Sequence, residues 1–204
     1  MKYLLTILTT SIVLFGACGN REGRNISDLT TGTTPAATQS PQTQQKENEC
    51  NICDYDFAEY KGELNKEEVN ALLLALNDEY LALATYERIN KDFDNPRPFV
   101  NIREAESKHA EALSRLFTKY QIPLPENKWT GNVEGFESVS DACKAGVEAE
   151  IVNRDLYEKL LGSTKREDIL TVFTQLKNAS EYNHLPAFKR CADRQNGESR
   201  RGRS

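Results

Sequence analysis

The 204-residue chain holds 2 histidines, and both close the same four-residue phrase, Glu106-Ser-Lys-His109 and Glu181-Tyr-Asn-His184. On an α-helix three residues advance by about 300° and roughly 4.5 Å, so each glutamate shares a face with its histidine. A carboxylate oxygen and an imidazole nitrogen held side by side can grip one metal ion. Two such pairs on two helices predict a two-metal site, completed by one glutamate from each of two further helices. A lone Glu-x-x-His has a plainer use as an ion pair on a solvated helix surface, so the elements around the pairs decide between the two readings.

Those elements read as helices. Asn65-Lys-Glu-Glu68 has the form of a capping box, and from Val69 to about Asn90 apolar residues recur at helical spacing through Leu72, Leu73, Leu76, Leu83 and Tyr86. Pro96 and Pro98 break the chain. A second helix is predicted from about Phe99 to Tyr120, with Ile102, Ala105, His109, Leu113 and Leu116 on one side. Ile122-Pro-Leu-Pro125 ends it, and a long connection containing Trp129, Gly131 and Gly135 follows. Stretched out, that connection could cross the length of a bundle, with Trp129 as a packing anchor. A third helix is predicted from about Val139 to Leu161, stopped by Gly162. Ser163-Thr164 and Glu167 then restart the chain for a fourth that reaches about Cys191. With no alternating run that reads as a strand, the fold class is all-α, a four-helix bundle.

The Glu-x-x-His pairs fall on helices two and four. Helix one offers Glu79, with Ala82 and Tyr86 on its face. Helix three offers Glu148 and Glu150, which point about 200° apart, so only one faces inward. Gly146 leaves room below Glu150, and Asn153 and Tyr157 extend its face, which selects Glu150. Tyr86 and Tyr157 read as core residues beside the ligands rather than as radical sites. Glu79, Glu106, Glu150 and Glu181 carry four negative charges, which two divalent cations would neutralise. Without cations, some of these carboxylates would have to take up protons. Mixed oxygen and nitrogen donors suit iron or manganese, and zinc could occupy the same set.

The four patterns Glu79-x-x-Ala-x-x-x-Tyr86, Glu106-x-x-His109, Gly146-x-x-x-Glu150 and Glu181-x-x-His184 together resemble the ferritin-like superfamily, in particular its rubrerythrin-type di-iron proteins. The resemblance spans about residues 63–191. A closer likeness is to a bacterial ferritin-like domain family of unknown function, carried by Leu64-Asn-Lys-Glu-Glu68 and Asn183-His184-Leu-x-Ala-Phe188. It implies a ferritin-like bundle with a long connection between helices two and three. It also implies two iron ions on Glu79, Glu106, His109, Glu150, Glu181 and His184. Two departures stand out. Val147 occupies a place where related sites often carry an extra glutamate, and the one Cys-x-x-Cys leaves no rubredoxin module to supply electrons.

Before the domain lies a different kind of sequence. Met1-Lys2 and the apolar run Tyr3–Ala17 form a short signal-like segment ending in Phe15-Gly16-Ala17-Cys18, which resembles the lipobox of bacterial lipoproteins. The resemblance implies cleavage after residue 17, a lipid on Cys18 and a place in the cell envelope outside the cytoplasm. A plain secretory signal is the alternative. Residues 18–49 are rich in Thr, Gln, Ser and Pro and read as a flexible tether. The expected domain occupies 50–192, followed by a disordered basic tail, 193–204. The remaining cysteines are Cys50, Cys53, Cys143 and Cys191, an even set that suggests disulfides. Cys143 lies two helical turns before Glu150 and Cys191 two turns after His184. If helices three and four are antiparallel neighbours, both sulfurs stand about 10 Å from the metal level on the same side. A Cys143–Cys191 disulfide is therefore predicted, leaving Cys50 and Cys53 to bond each other or to act as a small redox pair.

The net charge of −5 gives no sign of nucleic-acid binding. The leading expectation is an oxidoreductase, oxidising ferrous iron or reducing dioxygen or peroxide with an unidentified electron donor, as a monomer or homodimer on a lipid anchor. The alternatives are a lipoprotein that only captures metal and an interaction module that metal merely stabilises.

Overall fold

The computed structural model describes residues 50–201, with side chains to residue 195. The signal segment, Cys18 and the tether lie outside the described residues. Among the described residues there is no strand, and no helix is long and apolar enough to cross a membrane.

A short 3-10 turn, Phe57–Glu59, precedes four long helices. Helix α1 spans Lys66–Asp92, α2 Phe99–Lys119 and α3 Val139–Leu160. The fourth begins as α4, Glu167–Ala179, passes through a π turn at Ser180–His184 and continues as α5, Leu185–Arg201. It thus runs beyond the predicted end near Cys191 and into the segment expected to be a disordered tail. Helix α1 packs chiefly on α2 and α3 chiefly on the fourth helix, and contacts between α1 and α3 and between α2 and α4 join the two hairpins.

The start of α1 is the capping box expected from sequence. The Asn65 side chain accepts from the Glu68 N–H at 2.9 Å, and Glu68 Oε2 accepts from the Asn65 N–H at 3.0 Å. Glu68 does more than cap. Its Oε1 accepts from the Thr164 hydroxyl at 2.7 Å and from Arg166 Nε at 3.3 Å, tying the start of the bundle to the α3–α4 turn. The Thr164 hydroxyl also accepts from the Arg166 N–H at 3.1 Å, and α4 begins after Arg166 without a side-chain cap.

Between α2 and α3, Trp129 is buried and its indole N–H donates to Asn77 Oδ1 at 3.0 Å. The same oxygen accepts from the Asn51 N–H at 3.1 Å, so one side chain of α1 holds both the N-terminal segment and the inter-hairpin connection. Two apolar clusters fill the bundle. One centres on Leu72, Leu76, Leu113 and Phe173, and the other on Tyr86, Phe99 and Phe188. The buried carboxylates lie on the same helices between them. A Cβ on Gly146 would meet the Phe188 ring at 2.7 Å, so glycine there lets the fourth helix approach α3.

Both expected cysteine pairs are joined. Cys143 and Cys191 link α3 to α5 with Cα atoms 5.8 Å apart, and Cys50 and Cys53 pair at 5.3 Å. Such bonds suit an oxidising, non-cytoplasmic compartment. The Cys143–Cys191 bond closes a loop of sequence separation 48, which in the chain-entropy view contributes about 4 kcal/mol. Urea unfolding of the Cys143→Ser/Cys191→Ser chain should show a loss of that order, and an unchanged midpoint would contradict this role.

Candidate metal centre

Five of the six sequence-selected ligands converge at the centre of the bundle, contributed by all four helices. Glu79 on α1, Glu106 on α2 and Glu150 on α3 are each 3% exposed or less. His109 and His184 face one another with ring centroids 5.5 Å apart and planes 25° from parallel. Glu148, two residues from Glu150, is exposed, so the face argument chose the inward carboxylate.

The donor atoms form two groups that share Glu106. In one, His109 Nδ1 lies 2.8 Å from Glu106 Oε2 and 3.3 Å from Glu79 Oε2. In the other, His184 Nδ1 lies 3.3 Å from Glu106 Oε1 and 3.5 Å from Glu150 Oε2. Each group presents three donors within 4.8 Å of one another, close enough to hold one cation. Glu106 thus turns one carboxylate oxygen to each side.

Two tyrosines complete a near-symmetric arrangement. The Tyr157 hydroxyl of α3 donates to Glu79 Oε1 of α1 at 2.5 Å, and the Tyr86 hydroxyl of α1 donates to Glu150 Oε1 of α3 at 2.8 Å. Each tyrosine stands two helical turns beyond the glutamate on its own helix and serves the glutamate of the other. Burial, and the charges of Glu150 near Tyr86 and Glu79 near Tyr157, push both phenol pKas well up, so both hydroxyls remain donors. Oε1 of Glu79 and of Glu150 is thereby occupied, and Oε2 of each is left facing the centre.

Glu181 stands apart from both groups. It is half-buried, and its charge acts on Arg154 and Lys177. The reason is the π turn, in which the Leu185 N–H bonds to the Ser180 carbonyl. In this wider turn residues four apart, Ser180 and His184, share a face, whereas residues three apart diverge. The α-helical spacing that paired Glu181 with His184 in the sequence therefore does not operate here. Ser180 takes the inward place, and its hydroxyl donates to Asn153 Oδ1, while Asn153 Nδ2 donates to buried Asp78. Asn153, expected beside the Glu150 face, thus links α1, α3 and the π turn. Asp78 and Ser180 were not selected from sequence, because neither has a metal-binding spacing.

The charges interact strongly. Burial opposes ionisation of both imidazoles, yet the close approach and charge of Glu106 and Glu79 outweigh it for His109, and those of Glu106 and Glu150 for His184. Both pKas are pushed up to about 10. Glu79 is raised, by burial first and then by the Glu106 charge. For Glu106 burial is opposed and outweighed by the close approach of the His109 and His184 imidazoles, so its pKa is lowered. Even so, Glu79 Oε2 and His184 Nδ1 are buried without a hydrogen-bond partner, since the short approaches to them lack hydrogen-bond alignment. One such orphan lies in each group. Buried donors and acceptors that make no hydrogen bond are costly, and a cation in each group would satisfy both atoms. The residues present therefore fit two metal ions.

The family described as "Uncharacterized protein domain (DUF2202)" matches residues 68–201. The chain belongs to this family. All five converging residues lie inside the matched stretch, whereas the Cys50–Cys53 disulfide lies outside it. This DUF2202 chain is 31% identical over 145 residues to the uncharacterized protein MJ0754 of Methanocaldococcus jannaschii, which covers 64% of the chain and 77% of that relative. It is also similar to the crystal structure of hypothetical protein MJ0754 from Methanococcus jannaschii DSM 2661. There the TM-score is 0.60 at 28% identity, covering 67% of this chain and 85% of that one.

In metal-free protein the raised imidazoles have a signed consequence. A histidine whose folded pKa exceeds its ordinary 6.5 adds stability that is complete below about pH 6.5 and is lost as pH rises through about 10. The chelator-treated chain should lose unfolding free energy across that window, and the His109→Gln/His184→Gln chain should lose less. Parallel pH profiles for the two proteins would contradict the charged pairs.

Proposed function

We propose that this DUF2202 domain is a ferritin-like, rubrerythrin-type carboxylate protein that holds two iron or manganese ions and reacts with a small oxidant. The observation that carries the reading is the pair of donor groups sharing Glu106, each with one buried donor atom that makes no hydrogen bond. Glu79 and His109 would hold one ion, Glu150 and His184 the other, and Glu106 would bridge them.

Two redox-active ions in this position would exchange electrons with dioxygen or hydrogen peroxide, or with incoming ferrous iron. The chain's own residues have separate tasks. Tyr86 and Tyr157 hold the outer oxygens of Glu150 and Glu79 and so aim the inner oxygens at the centre. Both histidines must give up their protons before their Nδ1 atoms can bind metal, so loading releases protons. The three inward glutamates carry one negative charge fewer than two divalent ions need. Glu181 could supply it if the π turn rewinds to α geometry, and otherwise an anion from solvent would. A lipid on Cys18 would place this centre at the envelope, where the two disulfides are at home.

The test is elemental analysis of the full chain purified without chelator, beside Glu106→Ala and His184→Ala. The expected result is about two iron or manganese ions per chain, with both variants at least tenfold depleted while far-ultraviolet circular dichroism stays helical. A native chain that takes up no metal on reconstitution would end the reading. Turnover of peroxide or dioxygen by the loaded chain with a reductant then separates a catalyst from a metal store.

A further inference from the structure

Beside the metal centre lies a cavity of about 60 Å³ between α1 and α3, roofed by the segment that carries Trp129 and Phe136. Its α3 wall is lined by small side chains, Ala142, Ala145 and Ala149, and its α1 wall by Ala82 and Ile89. The polar side chains in the lining are few. The Trp129 indole N–H is already given to Asn77, the Tyr86 hydroxyl is already given to Glu150, and Thr85 and Glu134 complete the set. A water needs roughly 10–15 Å³ and two to four polar partners, so the space is ample for water but the lining offers it little. Tyr86 belongs both to this wall and to the metal centre, through its hydrogen bond to Glu150.

We infer that this cavity is a holding site for slim, uncharged, apolar molecules of a few heavy atoms, dioxygen among them, retained against the wall that carries Tyr86. The apolar lining selects against hydrogen peroxide, whose two hydroxyls would lose their hydrogen bonds to water. Retention of apolar molecules follows from the cavity alone. Its value as a reservoir for the metal centre rests on the proposed function.

Trp129 is the single tryptophan of the chain and lines the cavity, so its emission reports occupancy. In the chelator-treated full chain, xenon pressure should shift the amide resonances of Ala82, Ala145, Ala149 and Trp129 in a saturable manner. Dissolved dioxygen should quench Trp129 with a rate constant several-fold above that of acrylamide, whose polar amide would have to give up its hydrogen bonds to water to enter. Filling the space with Ala145→Leu should reduce both effects several-fold. Absence of saturable xenon shifts in the native chain would overturn the inference, as would equal quenching by dioxygen and acrylamide. The native-chain xenon titration decides the matter even if the variant fails to fold. Because neither readout needs metal, a filled cavity in a chain that binds no ions upholds the site while the metal reading fails. Two bound ions beside an unfilled cavity give the reverse result.

Discussion

The bundle is organised around one buried carboxylate. Glu106 lies 3% exposed between two imidazoles and offers one oxygen to each. A charge in that position is tolerated only if every neighbour compensates it, by positive charge, by protons or by cations. The four helices satisfy that condition together, since Glu79, Glu150, His109 and His184 reach the centre from α1, α3, α2 and the fourth helix. Removing any of them leaves another buried polar atom without a partner. The cluster therefore constrains helix register more narrowly than the apolar residues around it, which can be exchanged for others of similar volume.

The surrounding structure reads as a set of devices that hold this register. The exchanged tyrosines Tyr86 and Tyr157 lock α1 to α3 across the centre. Asn153 fastens the π turn to α1 through Ser180 and Asp78, on the side of the centre from which Tyr157 approaches. Beyond His184, Cys191 bonds to Cys143 and sets the spacing of α3 and α5, and Gly146 admits the Phe188 ring between these positions. Hydrogen bond, covalent link and close packing thus act on successive turns of the same helix pair. Asn77 adds a further tie, because its Oδ1 accepts from both Trp129 and Asn51.

Much of this was legible in the sequence because it depends on the period of an α-helix alone. The bounds of α1, α2 and α3 followed from apolar spacing, capping and proline breaks, and the Asn65–Glu68 box formed as written. The same period identified five inward residues, chose Glu150 over Glu148, and placed Cys143 level with Cys191. Tyr86 and Tyr157 were recognised as neighbours of the site, but each was read with the glutamate of its own helix. Their cross-helix bonds depend on how α1 and α3 face each other, which no single-helix periodicity contains.

Sequence by itself determined the four amphipathic segments, the residue types that can bind a cation, and the turn on which each stands, since these are local consequences of side-chain chemistry and helical period. Tertiary structure decided which of those residues meet. It moved Glu181 off the central face, because the π turn at Ser180–His184 changes the angular spacing on which the second Glu-x-x-His reading relied. It made Glu106 the residue shared by two groups, and it opened an apolar space against Tyr86. Those outcomes depend on the relative rotation and separation of packed helices. That geometry is set by contacts among residues far apart in the chain, so it becomes visible only when the helices are brought together.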